Sequence, residues 1–366
     1  MFHVLRNSLV RETELLRALS AAVAAALPAT WSLTFGTKTR NTGARADAVL
    51  TVAAPDGAAG MALVEAKRVV EPRDVPSIVR QLQSYRAADG TAFVVAAPYL
   101  SPRVRDLLQE AGMGWFDSTG NLRLQLDRPS VFIDRTGAGR SPFTDVEDRR
   151  LKSLKGRAAA RVVRALLDEP LPLGVRQLAE VAAVGAATSS RVLELLARED
   201  LVERDEDGRV VGVSKLSLAQ RWSADYGIAS SNQAVPMLAA RGIDRVLSGL
   251  RTYSGTYAIT AEAATRPYLP PGRAAVAPLV LLTIYVPDAD AVAAALGLRP
   301  VDRGANVMLV EPFDSVVYRR AQVKRDLTYA APSQVVVDLL TGPGRAPEEG
   351  GSLIDVLAGK DEGWRR

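Results

Sequence analysis

Apolar and polar positions change their period several times along this chain, and each change marks an element. Between residues 9 and 26, Leu15, Leu16, Leu19 and Val23 recur near every 3.6 residues and continue to Leu27, which predicts a helix with one buried stripe. Trp31 to Phe35 alternates as a strand. A hairpin is predicted next, from Ala46 to Val52 and from Met61 to Lys67, joined through Pro55-Asp56-Gly57. Proline presets φ in such a turn and glycine accepts φ > 0. Asp74 can cap the following helix, with Pro76 in its first turn. Ile78, Leu82 and Tyr85 share its apolar stripe, and Gln81 lies one turn before Tyr85. Ala92 to Ala97 reads as a buried strand, then Ser101-Pro102 opens a helix that Gly112 stops. Trp115 to Asn121 is a turn into Leu122-Arg123-Leu124, in which Asp117 and Asn121 bond their own backbone.

Thr136 to Ser141 is rich in Gly and Arg, and a domain boundary is expected there. Beyond it, residues 153–167 form an amphipathic helix through Val162, Val163, Leu166 and Leu167. A Pro-rich break leads to a short helix, Val175 to Ala183, and Gly185 turns into a third, Thr188 to Glu199. Leu201-Val202-Glu203-Arg204, the turn Asp205-Glu206-Asp207-Gly208 and Arg209 to Val213 complete the order helix, helix, turn, helix, hairpin, which is that of a winged helix. From 233 onward a helix is predicted over Val235 to Leu250, a strand over Leu279 to Val286, and a helix capped by Asp288 after Pro287. Asp288 and Asp290 also invite a nucleotidyltransferase reading, but the upstream Gly-Ser loop that chemistry needs is reversed here, as Ser254-Gly255.

Composition narrows the chemistry. A chain of 366 residues suggests two or three domains, and 48% hydrophobic with 24% charged residues is the balance of a soluble globular protein. No apolar run has the length of a membrane span, and the Ala18 to Leu27 stretch follows charges of both signs, so a cytoplasmic location without membrane partners is expected. The absence of cysteine removes disulfides, thiolate metal sites and cysteine nucleophiles. The single histidine, His3, leaves almost no basis for serine triads, His-ligated zinc or histidine acid–base catalysis. Catalysis would have to use carboxylates, lysine and a hard cation such as Mg²⁺ or Mn²⁺. A net charge of +5 permits a nucleic-acid partner without requiring one.

One constellation suits that chemistry. Strand alternation puts Glu65 and Lys67 on one face, and hairpin pairing brings Asp47 alongside. Two carboxylates and an ammonium on one side of a sheet are costly unless an ion joins them, and a metal-dependent phosphodiester hydrolase needs such a group. Asp47, Glu65-Ala66-Lys67 and Gln81-Leu82-Gln83-Ser84-Tyr85 resemble the PD-(D/E)xK nuclease superfamily, the last segment being similar to the Q-x-x-x-Y box of its RecB-like branch. The resemblance implies a restriction-endonuclease-like mixed sheet with flanking helices over residues 1–135. It also implies Asp47 and Glu65 as metal ligands, Lys67 beside the attacking water, and Gln81 and Tyr85 as positioning groups. An acid on the first helix completes the family's set, with Glu14 as the expected metal ligand and Glu12 as the other candidate. Lys38, Arg40 and Arg45, just before Asp47, form either a solvated loop or a grip on the DNA backbone.

Residues 145–228 resemble MarR- and IclR-type winged-helix modules, which implies DNA contact through Thr188, Ser189, Ser190 and Arg191, with Arg209 on the wing. The acidic wing tip, Asp205, Glu206 and Asp207, would repel phosphates and keeps open a role in protein contact or dimerisation. With Pro332-Ser333-Gln334-Val335-Val336-Val337-Asp338-Leu339-Leu340 and Gly344-Arg345-Ala346-Pro347-Glu348-Glu349 near its end, the segment 233–366 resembles the α+β C-terminal domain of AbiEi-type antitoxins, which implies a nucleotidyltransferase toxin as partner. The expectation is an α/β multidomain, DNA-binding protein with a Mg²⁺- or Mn²⁺-dependent deoxyribonuclease domain. The alternative is a non-catalytic transcription regulator or antitoxin. A homodimer and a toxin partner remain open possibilities.

Overall fold

The computed structural model describes residues 2–37, 46–85, 89–143, 151–269 and 279–365. The basic positions Lys38, Arg40 and Arg45 lie outside the described residues. The fold is mixed α/β, and the chain divides into two compact units, Met1–Arg149 and Arg150–Arg366. No helix among the described residues is long and apolar enough to cross a membrane.

The first unit opens with α1 (Phe2–Ala24) and strands β1 (Ser32–Thr37), β2 (Ala48–Ala53) and β3 (Ala59–Ala66). Helix α2 (Val75–Gln83) leads to β4 (Ala92–Ala97), and α3 (Pro102–Glu110) leads to β5 (Gly114–Asp117), followed by β6 (Leu122–Leu126) and β7 (Val131–Arg135). The seven strands lie in chain order. The β3–β4 and β4–β5 pairs are parallel and the others antiparallel. Parallel neighbours need a crossover, and α2 and α3 supply the two. Leu15, Leu16, Leu19 and Val23 of α1 bury one face against Ala48, Leu50, Ala62, Val64 and Val94. Val75, Ile78 and Leu82 of α2 and Val104 and Leu108 of α3 bury the other against Val95, Ala97 and Trp115. With both faces covered, β3 keeps an unbroken buried run, Ala62-Leu63-Val64-Glu65.

The β2–β3 turn has the expected chemistry: Gly57 takes φ +85°, and Asp56 Oδ1 accepts the Ala58 N–H at 2.9 Å. Asp74 differs. Its carboxylate accepts the Glu71 N–H at 3.0 Å and closes a 3₁₀ turn before α2, with no side-chain bond capping α2 itself. Trp115 and Phe116 belong to strand β5, and only the residues after them turn.

The second unit begins with α4 (Arg157–Asp168), α5 (Val175–Ala182) and α6 (Ala186–Arg198), then a two-stranded antiparallel sheet, β8 (Val202–Arg204) with β9 (Val210–Val213), and α7 (Lys215–Ser223). The remainder comprises β10 (Gln233–Leu238), α8 (Ile243–Thr252), β11 (Ala258–Thr260), α9 (Ala261–Thr265), β12 (Leu282–Tyr285), α10 (Ala289–Leu296), β13 (Arg299–Pro300) and β14 (Val307–Glu311). Strands β15 (Gln322–Lys324) and β16 (Leu327–Tyr329) and helices α11 (Pro332–Leu340) and α12 (Ala346–Ala358) close it. Its sheet runs β13-β10-β14-β12-β11-β16-β15.

Two expectations are corrected here. The helix predicted from Val235 is a strand as far as Leu238, pairing with β14 and β13, and the helix starts only after Gly242. Pro236 is tolerated because its carbonyl turns away from β14 to accept Val301 N–H, so the missing donor falls outside that ladder. The expected domain boundaries also shift. Gly137, Ala138 and Gly139 are bonded to Asn121 and Tyr99 and so belong to the first unit. At 228–233 one continuous core, from Leu154 to Trp364, joins what reads in the sequence as two domains.

Candidate active site

Strand alternation sends Val64 to the face under α1 and Glu65 to the face under α2. Glu65 is 5% exposed, and its carboxylate accepts three hydrogen bonds. Lys67 Nζ donates to Oε1 at 2.7 Å, Gln81 Nε2 donates to the same oxygen at 2.8 Å, and Tyr85 OH donates to Oε2 at 3.0 Å. Gln81 Nε2 also lies 2.7 Å from Tyr85 OH. The buried stripe Val75, Ile78 and Leu82 fixes the rotation of α2, and that rotation carries Gln81 and Tyr85 over the end of β3. Burial raises the Tyr85 phenol above its ordinary pKa, and Glu65 and the charge of Asp47 push the same way against the lowering bond from Gln81. The phenol is therefore a proton donor to Glu65 at neutral pH.

Asp47 precedes the first residue of β2 and has a structural task as well. Its Oδ2 accepts the Ala66 N–H at 2.9 Å, on the side of β3 away from β4, while the next amide, Lys67 N–H, bonds Ala96 of β4. The Asp47 backbone N–H also bonds the Val64 carbonyl at 3.0 Å, so main chain and carboxylate both hold β3. Asp47, Glu65, Lys67, Gln81 and Tyr85 come together at the C-terminal end of β3. Glu14 does not join them. It is exposed on α1, whose buried side covers the opposite face of the sheet. Among the described residues no three acids, histidines or cysteines gather to hold a metal, and Asp47 and Glu65 are the carboxylates met at this strand end.

Asp117 and Asn121, fully buried, form a knot at the end of β5. Asp117 accepts the Leu100, Thr119 and Asn121 amides, and Asn121 accepts Gly137 N–H and Arg105. Asp117 bonds the amides of its own turn, as the sequence suggests, whereas Asn121 bonds the distant Gly137 and Ala138 backbone. Asp288 likewise caps α10, accepting Ala291 N–H at 2.9 Å.

In the second unit, Ser189 is a correction among the expected DNA contacts. It is fully buried, one turn before Val192 and Leu193 on the core stripe of α6. Thr188 and Ser190 are half-buried, Ser190 donating to Glu194 at 3.3 Å, and Arg191 is exposed. Arg209 is held by acids of the β8–β9 turn, with Asp205 at 2.8 Å and Asp207 at 3.3 Å.

A buried polar chain crosses this unit and was not foreseen. Arg164, fully buried, donates to Asp168 at 2.9 and 3.1 Å, to Gln334 at 2.7 Å and to the Val316 and Arg319 carbonyls. Gln334, Tyr226, Tyr285 and Thr260 all donate to Asp338 within 2.9 Å. Burial pushes Asp338 up to about 6, although those four bonds favour its charged form. Arg164 reaches it through Gln334 and is already shared with Asp168. A carboxyl raised on folding is protonated more readily in the native state. Its contribution to stability is therefore full below the ordinary Asp range and is lost as pH rises through about 6, an effect of about 3 kcal/mol. Subtracting the urea stability of Asp338→Asn from that of the wild type across pH 4 to 7 should expose this fall. A flat difference would contradict it. The sequence held a signal for both groups, since Arg164 and Asp338 each interrupt an otherwise apolar helix face.

No family model, curated protein or solved structure matches this chain.

Proposed function

We propose that the chain binds DNA and that its first unit is a metal-dependent phosphodiester hydrolase of the PD-(D/E)xK type. The supporting observation is the convergence of Lys67, Gln81 and Tyr85 on the single carboxylate of Glu65, with Asp47 fixed beside the same strand end. A chance acid-x-lysine triplet would bring no such set of donors together. Asp47 and Glu65 suit Mg²⁺ or Mn²⁺ in kind, both being hard oxygen donors. In this arrangement the Lys67 ammonium occupies Glu65 Oε1, so a cation would compete with it for that oxygen. The Lys67 side chain, 30% exposed, has room to swing aside. A bound divalent ion would polarise the phosphate and acidify a water. Lys67 would orient that water and offset charge developing on the phosphate, while Gln81 and Tyr85 hold Glu65 in place. Full-length protein with Mg²⁺ or Mn²⁺ should nick circular duplex or degrade linear and single-stranded DNA. Binding without cleavage in either metal would overturn the nuclease reading.

A second reading has its own support: three of Glu65's acceptor positions are filled by Lys67, Gln81 and Tyr85. Under it the chain is a regulator, a winged helix of MarR or IclR type joined to an AbiEi-type antitoxin domain, with a nucleotidyltransferase toxin as partner. It would protect an operator without metal.

In both readings α6 offers Thr188, Ser190 and Arg191 to DNA. Replacing Asp205 and Asp207 by Asn would release Arg209 for a phosphate. Duplex binding should tighten and the slope of log affinity against log salt should steepen by about one. An unchanged slope in an anisotropy titration would remove the wing from the interface.

A further inference from the structure

We infer that Arg319, together with Arg161, is a positioning residue that sets the angle at which α6 meets DNA. The inference rests on the reading of α6 as the DNA-contacting helix. Helix α5 is closed by the residue after it, Ala183, a non-glycine residue held in the left-handed region at φ +52°. Such a conformation costs on the order of 1 kcal/mol or more and persists where neighbours impose it. Two guanidinium groups meet the exposed carbonyls of that turn: Arg319 donates to the Val181 carbonyl and Arg161 to the Ala183 carbonyl. Cations suit a helix C-terminus, where the backbone dipole is negative.

Each arginine is held from behind by a carboxylate of the other segment. Arg161, on α4, is gripped by Asp314 at 2.9 to 3.2 Å, and Asp314 is buried and also bonds Val316 N–H. Arg319 bonds Glu169, just past α4, at 2.6 Å, and Arg320 bonds the same carboxylate. The Arg319 carbonyl in turn accepts from buried Arg164 at 2.8 Å. This crossed clamp joins α4 to the segment 314–320 and closes on the two carbonyls from which the chain turns into α6. Whatever moves that segment, in the C-terminal half of the unit, moves the start of α6. Neither arginine is spent on a phosphate contact.

The test uses the full chain and a mixed-sequence duplex, with Arg319→Met, Arg319→Lys and Arg161→Met. Anisotropy gives affinity and its salt slope, and hydrogen exchange reads the peptide 181–190. Arg319→Met should weaken duplex binding about tenfold with the salt slope unchanged, and exchange across 181–190 should quicken. Arg161→Met should act in the same direction, and Arg319→Lys should recover part of the loss. Wild-type affinity with wild-type exchange in Arg319→Met overturns the inference. So does a salt slope lowered by about one, which would mark a direct phosphate contact. A wild-type chain with no duplex affinity overturns the DNA reading and this inference together, whereas binding that Arg319→Met and Arg161→Met leave intact overturns the inference alone. If Arg319→Met fails to fold, Arg161→Met, which leaves the Glu169 pair in place, decides the matter by the same readouts.

Discussion

Lys67→Ala should lower Mg²⁺- or Mn²⁺-dependent DNA cleavage by about 10²- to 10⁴-fold while leaving DNA affinity near that of the wild type. Among the described residues the ammonium is the one basic group bonded to Glu65, and that carboxylate's two other partners, Gln81 and Tyr85, are neutral donors that remain after the substitution. The site should therefore keep its shape and lose its charge. With the ammonium gone, Oε1 keeps the neutral Gln81 donor but loses its charged one, so the variant should bind Mn²⁺ more tightly than the wild type even as it fails to cut. Loss of cleavage with a gain in metal affinity separates a group acting in the chemistry from one that merely holds the strand end. Cleavage that persists in Lys67→Ala would place the chemistry elsewhere, and unchanged Mn²⁺ affinity would break the argument that ion and ammonium share an oxygen.

Arg164→Met should destabilise the second unit by about 3–5 kcal/mol, read as a shift in its urea midpoint. The guanidinium is fully buried and satisfies Asp168, Gln334 and two carbonyls at once. Its removal strands the Asp168 charge, whose remaining side-chain partner is Ser333. The penalty comes mainly from that orphaned carboxylate rather than from the value of the pair itself. Arg164→Met with Asp168→Leu should thus recover part of the loss. A double variant as unstable as the single one would show that the carbonyl bonds, not the carboxylate, carry the cost.

The convergence of Glu65, Lys67, Gln81 and Tyr85 is largely legible in the sequence because its determinants are local. Glu65 and Lys67 share a face by strand period, Pro55-Asp56-Gly57 sets the hairpin, and Gln81 and Tyr85 are one helical turn apart. That both of these helix side chains reach Glu65 depends on how α2 sits on the sheet, which no local pattern states. Asp47 can be read as an acid near the site, but its bond to the Ala66 amide depends on where the paired strands place its carboxylate. Glu14 was misassigned because a helix stripe says which side is buried without saying which face of the sheet it covers. Ser189 was misassigned through its position in a motif, whereas the stripe it shares with Val192 and Leu193 already placed it in the core. The strand at Val235 was read as a helix because a short apolar run carries no period, and its pairing with β14 is made across a long stretch of intervening chain. Arg164 and Asp338 escaped notice because a charge is expected at the surface, and only the assembled core supplies their partners.

Titration of Mn²⁺ into the full-length protein, followed by electron paramagnetic resonance in wild type, Asp47→Asn and Glu65→Gln, tests the central proposition most directly. The wild type should bind the ion and each of the two variants should lose it, with circular dichroism showing the fold retained. Binding that survives in both variants, or a wild type that takes up no Mn²⁺ at millimolar concentration, would contradict the assignment of these two carboxylates to a metal.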